Sequence, residues 1–191
     1  MPLIQRLLTV EALRTGIAAL LMGSILHLCT TFVLARIGAT QPFTKVVQAL
    51  PVNEMRLMPP VTPKSQVLPF EAADMLSTAC SFDASTGPVV IRAVLAGAGW
   101  TLGLHSPSGT NFYSIAGQDG RRTDIALMLI PAGDEFVPMP RDTTGQQSRI
   151  LQVALPAKTG LAVLRAPLPG QAWKAEVEVD LKLASCTLRK K

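Results

Sequence analysis

The sequence has two histidines, three cysteines, two tryptophans and one tyrosine in 191 residues. Each shortage removes a class of chemistry. A metal site needs clustered histidine, cysteine or carboxylate ligands. Here His27 and His105 are far apart, and Cys29, Cys80 and Cys186 are scattered. No metal-ligand set and no cofactor set is read from the chain. Nucleophilic hydrolysis needs a serine or cysteine beside a base. His105 is the only histidine after the first apolar run, and its surroundings, His-Ser-Pro-Ser-Gly, lack the Gly-x-Ser-x-Gly spacing of a nucleophile elbow. Ser106 and Ser108 read instead as turn-capping residues. The stretch GAGWTLG, residues 97–103, spaces its glycines Gly-x-Gly-x-x-x-Gly and opens a strand, whereas a dinucleotide loop opens a helix. No catalytic residue is assigned. The carboxylates Asp119 and Asp124, and Asp134 and Glu135, read as solvated loop charge, with two-carboxylate glycoside chemistry left open.

Charge is also scarce. Charged residues make up 16%, against about 25% in ordinary soluble domains. The net charge is +5, but Arg189, Lys190 and Lys191 cluster at one end, and from Ile37 onward 15 basic residues face 12 acidic ones. A nucleic-acid binder would show a basic stripe interleaved with aromatics. That partner is excluded.

What the chain does have is an uncharged run, TGIAALLMGSILHLCTTFVLA, residues 15–35. As a helix its 21 residues cover about 31 Å, close to the roughly 30 Å hydrocarbon core of a bilayer. Arg14 and Arg36 bracket it and can reach the interface. The run reads as a transmembrane helix, so a lipid bilayer is the first expected partner. A cleaved signal peptide is the alternative, with Arg6 and Arg14 as its basic start and Val33-Leu34-Ala35 as its cleavage site. Orientation is not legible. Arg6 and Arg14 precede the run, Arg36 and Lys45 follow it, and long domains translocate regardless of charge. Gly23 and His27 are four apart and share a helix face that suits close packing, either in a homodimer or on a partner helix.

Cys29 lies in the run, where a thiol acts as a small apolar group. Cys80 and Cys186 remain as an even pair. A bridge between them would close a loop of about 105 residues, contribute roughly 4–5 kcal/mol in the chain-entropy account, and require an oxidising compartment. Two separate buried thiols are the other reading.

Residues 1–37 therefore form a tail and membrane helix, residues 38–69 a Pro-rich connector, and residues 70–191 a β-rich domain. Pro42, Pro51, Pro59, Pro60, Pro63 and Pro69 exclude long helices from the connector. One short helix fits between Pro42 and Pro51, with Phe43, Val46, Val47 and Leu50 on one face. A second, EAADMLST, follows Pro69. Strands are then expected in GPVVIRAVLA, GWTLGLHS, TNFYSIA, TDIALMLI, RILQVALP and GLAVLRAP, separated by turn sequences. The final stretch, KAEVEVDLKLASC, alternates cleanly. Ala175, Val177, Val179, Leu181 and Leu183 share one face of a strand, with charges on the other. The fold class is mainly β: an N-terminal transmembrane helix followed by an antiparallel β-sandwich-like domain.

The stretch FEAADMLSTACSFDASTGPVVIRAVL resembles a bacterial family, the domain of unknown function 1254. It carries that family's Pro-Phe, short helix, Cys-x-Phe-Asp, Gly-Pro, strand pattern. LPVNEMRLMPP and GWTLGLHSPSGTNFYSI are similar too, and the likeness is greatest to the short, membrane-anchored members. The resemblance implies a membrane-anchored bacterial protein; together with the apolar span and the even cysteine pair, the expectation is an inner-membrane protein with its C-terminal domain in the periplasm. The resemblance also implies that a domain of unknown function 1214, joined to this one in longer members, is supplied by a separate protein. It carries over no catalytic residue. Two classes of function follow. One is a membrane-anchored interaction or scaffold module. The other is an envelope small-ligand binder or unconventional enzyme with a pocket mouth formed by Trp100, His105, Asn111 and Tyr113 on adjacent strands.

Overall fold

A computed structural model describes residues 2–61, 72–131, 133 and 150–189 of the chain. Two compact units are found, Met1–Gln41 and Pro42–Lys191.

The described residues of the first unit, 2–41, belong to helix α1, Pro2–Ala49. Its segment Val10–Ile37 has a mean hydropathy of 2.1 and is long and apolar enough to cross a membrane. Leu20, Met22, Leu26 and Phe32 are all exposed. The hydroxyls in this segment turn back on their own helix. Thr15, Ser24, Thr30 and Thr31 donate to the carbonyls of Glu11, Leu20, Leu26 and His27 at 2.7–2.9 Å. In hydrocarbon an unsatisfied hydroxyl costs several kcal/mol, and these bonds remove that cost without a second chain.

The second unit is a two-sheet β structure. Its strands are β1 (Arg56–Leu57), β2 (Met75–Asp83), β3 (Val89–Leu95), β4 (Thr101–His105), β5 (Asn111–Ala116), β6 (Thr123–Pro131), β7 (Leu151–Leu155), β8 (Thr159–Pro167) and β9 (Ser185–Leu188). A five-stranded sheet runs β1-β2-β8-β4-β5 and a four-stranded sheet runs β7-β6-β3-β9. Every pairing is antiparallel except β6 with β7, which is parallel, so the second sheet is mixed.

Alternation along each strand makes the core. Leu76, Cys80 and Phe82 of β2, Leu102 and Leu104 of β4, and Leu164 of β8 meet Ile91 and Leu95 of β3 and Leu127 and Leu129 of β6. Each fully buried Phe, Leu or Ile contributes roughly 1.5–3 kcal/mol. Gly160 sits opposite Phe82 in the ladder, and a Cβ there would run into the phenyl ring. The missing side chain leaves room for the ring beside β8. The other face of the large sheet is covered as well: Ala79, Leu161 and Val163 pack with Val46, Leu50 and Met58, and with half-buried Phe43. The apolar face expected at residues 43–50 thus exists and lies on the β domain, although residues 43–49 belong to α1 rather than to a separate helix.

Two expected elements are exchanged. KAEVEVDLK is not a strand but helix α2, Lys174–Lys182, and only Ser185–Leu188 of the final segment is β. Val177 and Leu181, four apart, are buried, whereas Ala175, Val179 and Leu183 are exposed. Glu178 lies 3.9 Å from Lys174 and 3.7 Å from Lys182, both at i,i+4 spacing, which supports a helix and not a strand. Conversely, the expected helix EAADMLST is mostly strand. Glu71 is outside the described residues, Ala72 to Asp74 form a turn, and β2 starts at Met75 and pairs with β8 along its whole length. Cys80 is therefore in the middle of a strand.

Candidate functional site

The residues singled out from the sequence fall into three places. Cys80 and Cys186 form a disulfide, and both are buried in the main core. Cys186 pairs with Ile91 on β3 and Cys80 with Ala162 on β8, so the bond joins the two sheets. Cys29 is a free, exposed thiol on α1.

The four residues of the expected pocket mouth do not converge on one cavity. Trp100 is 5% exposed and packs in the core, held by hydrogen bonds from its N–H to the Gly97 carbonyl and from the Gly117 N–H to its own carbonyl. Tyr113 pairs with Leu104 and packs against the same core. His105 and Asn111 are paired across a register shift on the opposite face of the sheet. They meet over Gly103, where a Cβ would come within 3.2 Å of both His105 Nε2 and Asn111 Nδ2. Two pairs result, one inside and one outside. Burial pushes the His105 imidazole below its ordinary pKa, a hydrogen bond to the Gly109 backbone pulls the other way, and the Arg165 charge pushes down again.

The following turn accounts for the serines. Ser106 Oγ and Ser108 Oγ are 2.7 Å apart, Ser108 Oγ and Thr110 Oγ1 3.1 Å, and the Gly109 N–H donates to the Ser106 carbonyl at 2.8 Å. This is a hydroxyl-capped hairpin turn. Asp119 and Asp124 are both exposed; Asp134 and Glu135 lie outside the described residues. Among the described residues there is no group of three His, Cys, Asp or Glu side chains close enough to hold a metal ion. Gly23 and His27 lie along one exposed face of α1 with Gly16, Ala19 and Ser24.

The feature that sequence reasoning missed is a cleft of about 540 Å³ in the β domain. Leu50, Leu57, Met58, Leu76, Pro59 and Pro60 line it, and Arg56, Lys174 and Glu178 are its charged residues. Its signal in the sequence is faint. Lys174 and Glu178 come together on one helix face only once residues 174–182 are known to be helical.

No protein-family model and no curated protein matches the chain. Among solved structures, the chain is similar to the VPA0106 protein of Vibrio parahaemolyticus, with a TM-score of 0.51 and 14% identity over 76% of this chain and 32% of that one. It also aligns with an uncharacterised protein of Burkholderia cenocepacia at a TM-score of 0.43 and 9% identity, over 75% of this chain and 38% of that one. The likeness to the Vibrio protein is one of fold. The chain spans about a third of the length of that protein.

Proposed function

We propose that this is a single-pass envelope protein of bacteria whose β domain stands outside the cytoplasm and works as an interaction module for a second protein. The observation that carries the proposal is the pairing of an exposed apolar helix with a buried inter-sheet disulfide. The helix suits a bilayer, and the disulfide suits an oxidising compartment. The inner membrane and the periplasm are the compartments that meet both needs in a bacterial cell. Support for a second protein comes from a likeness of fold. The same fold accounts for a third of the Vibrio chain, so in that protein it stands beside other structure. The resemblance of FEAADMLSTACSFDASTGPVVIRAVL to the domain of unknown function 1254 names the class of partner, a protein carrying a domain of unknown function 1214.

The test is mild crosslinking of the full chain in native membranes, followed by purification and mass spectrometry. A discrete adduct containing a protein with that second domain is the expected result. Recovery of the uncrosslinked monomer alone, at crosslinker doses that trap a known membrane complex in the same preparation, would remove the proposal.

A further inference from the structure

The geometry points to the cleft beside Arg56 as a binding site for a single acyl chain ending in an oxyanion. The size is right: about 540 Å³ falls in the range of roughly 300–1,000 Å³ typical of ligand sites. The lining selects the body of the ligand. Apart from the charged residues, every lining side chain is apolar. Pro59 and Pro60 have no N–H, so they offer no backbone donor. Leu50, Met58 and Leu76 are 5–7% exposed and carry the surface of the cleft into packed interior. Such walls suit a hydrocarbon chain better than the polar edges of a sugar or nucleobase.

The charged residues select the head. Glu178 is the only carboxylate among the lining residues, and it already lies 3.9 Å from Lys174 and 3.7 Å from Lys182. Arg56 is exposed and has no ion pair among the described residues. An unpaired guanidinium at the edge of an apolar cleft is a fork for a carboxylate or phosphate, which it can hold through two parallel N–H···O bonds. Acyl chains with such heads are at hand for a protein whose helix suits a bilayer. The inference does not depend on a protein partner being found.

The test uses the full chain in nanodiscs of zwitterionic lipid and a diazirine-tagged palmitate as the probe. After irradiation, peptide mass spectrometry should place label on Leu57–Pro60 and around Leu76. Charge-assisted hydrogen bonds are worth about 1.5–3 kcal/mol, so Arg56→Glu should cut that label at least about tenfold. Arg56→Lys should restore part of it. The Cys80–Cys186 bridge, checked in each variant, reports that the domain is folded. The matching diazirine fatty alcohol, which has no oxyanion, should label the cleft several-fold less. A diazirine lysophosphatidate distinguishes the two sources. Stronger label than palmitate assigns the site to a lipid phosphate head, and weaker label assigns it to a free fatty acid. Label confined to residues 10–37, label undiminished in a folded Arg56→Glu chain, or equal label from acid and alcohol would each overturn the inference.

Discussion

Cys80 in β2 and Cys186 in β9 are bonded across the interior of the β domain, with Cα atoms 6.5 Å apart and a sequence separation of 106. β2 belongs to the five-stranded sheet and β9 to the edge of the four-stranded one, so the only covalent tie between the two layers besides the chain itself lies in the core. A crosslink closing so long a loop removes much of the freedom of the unfolded chain. Replacing both cysteines by alanine should cost about 2–5 kcal/mol, read from denaturant midpoints with and without reductant. A loss under about 1 kcal/mol would mean that the sheets are held by packing alone.

The helical reading of residues 174–182 makes a positional prediction. Leu181 is 1% exposed and Val179 60%. Leu181→Ala should destabilise the domain by about 2–5 kcal/mol, and Val179→Ala by less than about 0.5. A strand with Val177, Val179 and Leu181 on one face would make both substitutions costly, so equal losses would contradict the helix.

Asn53 acts as a clip on the end of β2. Its φ is 56°, in the left-handed region. Its Nδ2 donates to the Asp83 carbonyl at 3.0 Å, its Oδ1 accepts from the Asp83 N–H at 2.9 Å, and its own N–H donates to the Ser81 carbonyl at 2.8 Å. The side-chain amide thus imitates a strand. Asn53→Ala loses two hydrogen bonds and keeps the unfavourable backbone, for a cost of about 2–4 kcal/mol. Asn53→Gly loses the bonds but suits the backbone, and should cost less. Thermal melts that rank the two alike, with little loss, would show that the clip is idle.

His105 gives the fold a pH dependence. Its pKa is lowered in the folded protein, mainly by burial, so the unfolded chain binds the proton more readily. Stability from this group is then fully present above about pH 6.5 and is lost as pH falls through the lower folded value. Denaturation midpoints measured between about pH 7.5 and 5 should fall with pH, and His105→Gln should flatten part of that slope. An unchanged slope in the variant would place the dependence elsewhere.

Six strands, β3 to β8, were legible because β-branched and leucine runs alternate between clear turn sequences. The Ser-Pro-Ser-Gly turn was legible for the same reason. β2 was hidden because its outward residues Ser77, Ala79 and Ser81 are small and buried, beside an apolar patch that includes Val46 and Leu50. They offer neither an exposed polar face nor an apolar stripe, so alternation fails as a signal. α2 was hidden for the opposite reason. Its Glu-Val-Glu-Val alternation fits a strand, and only the buried pair Val177 and Leu181 reveals the period of a helix. The pocket mouth failed on a face assignment. Trp100 and Tyr113 turn inward while His105 and Asn111 turn outward; alternation along β4 separates Trp100 from His105, and only the register shift that puts Asn111 and Tyr113 on different faces leaves no mark in the sequence.

Thiol labelling of quenched cells tests the compartment most directly. A Cys29→Ala background leaves only Cys80 and Cys186; the cells are quenched in acid and fractionated, and because both residues are buried each fraction is unfolded in denaturant before maleimide is added, with and without prior reduction. The account predicts a chain held in the membrane fraction whose two thiols stay silent until reductant is added. A freely soluble chain whose cysteines label at once, without reduction, would contradict it.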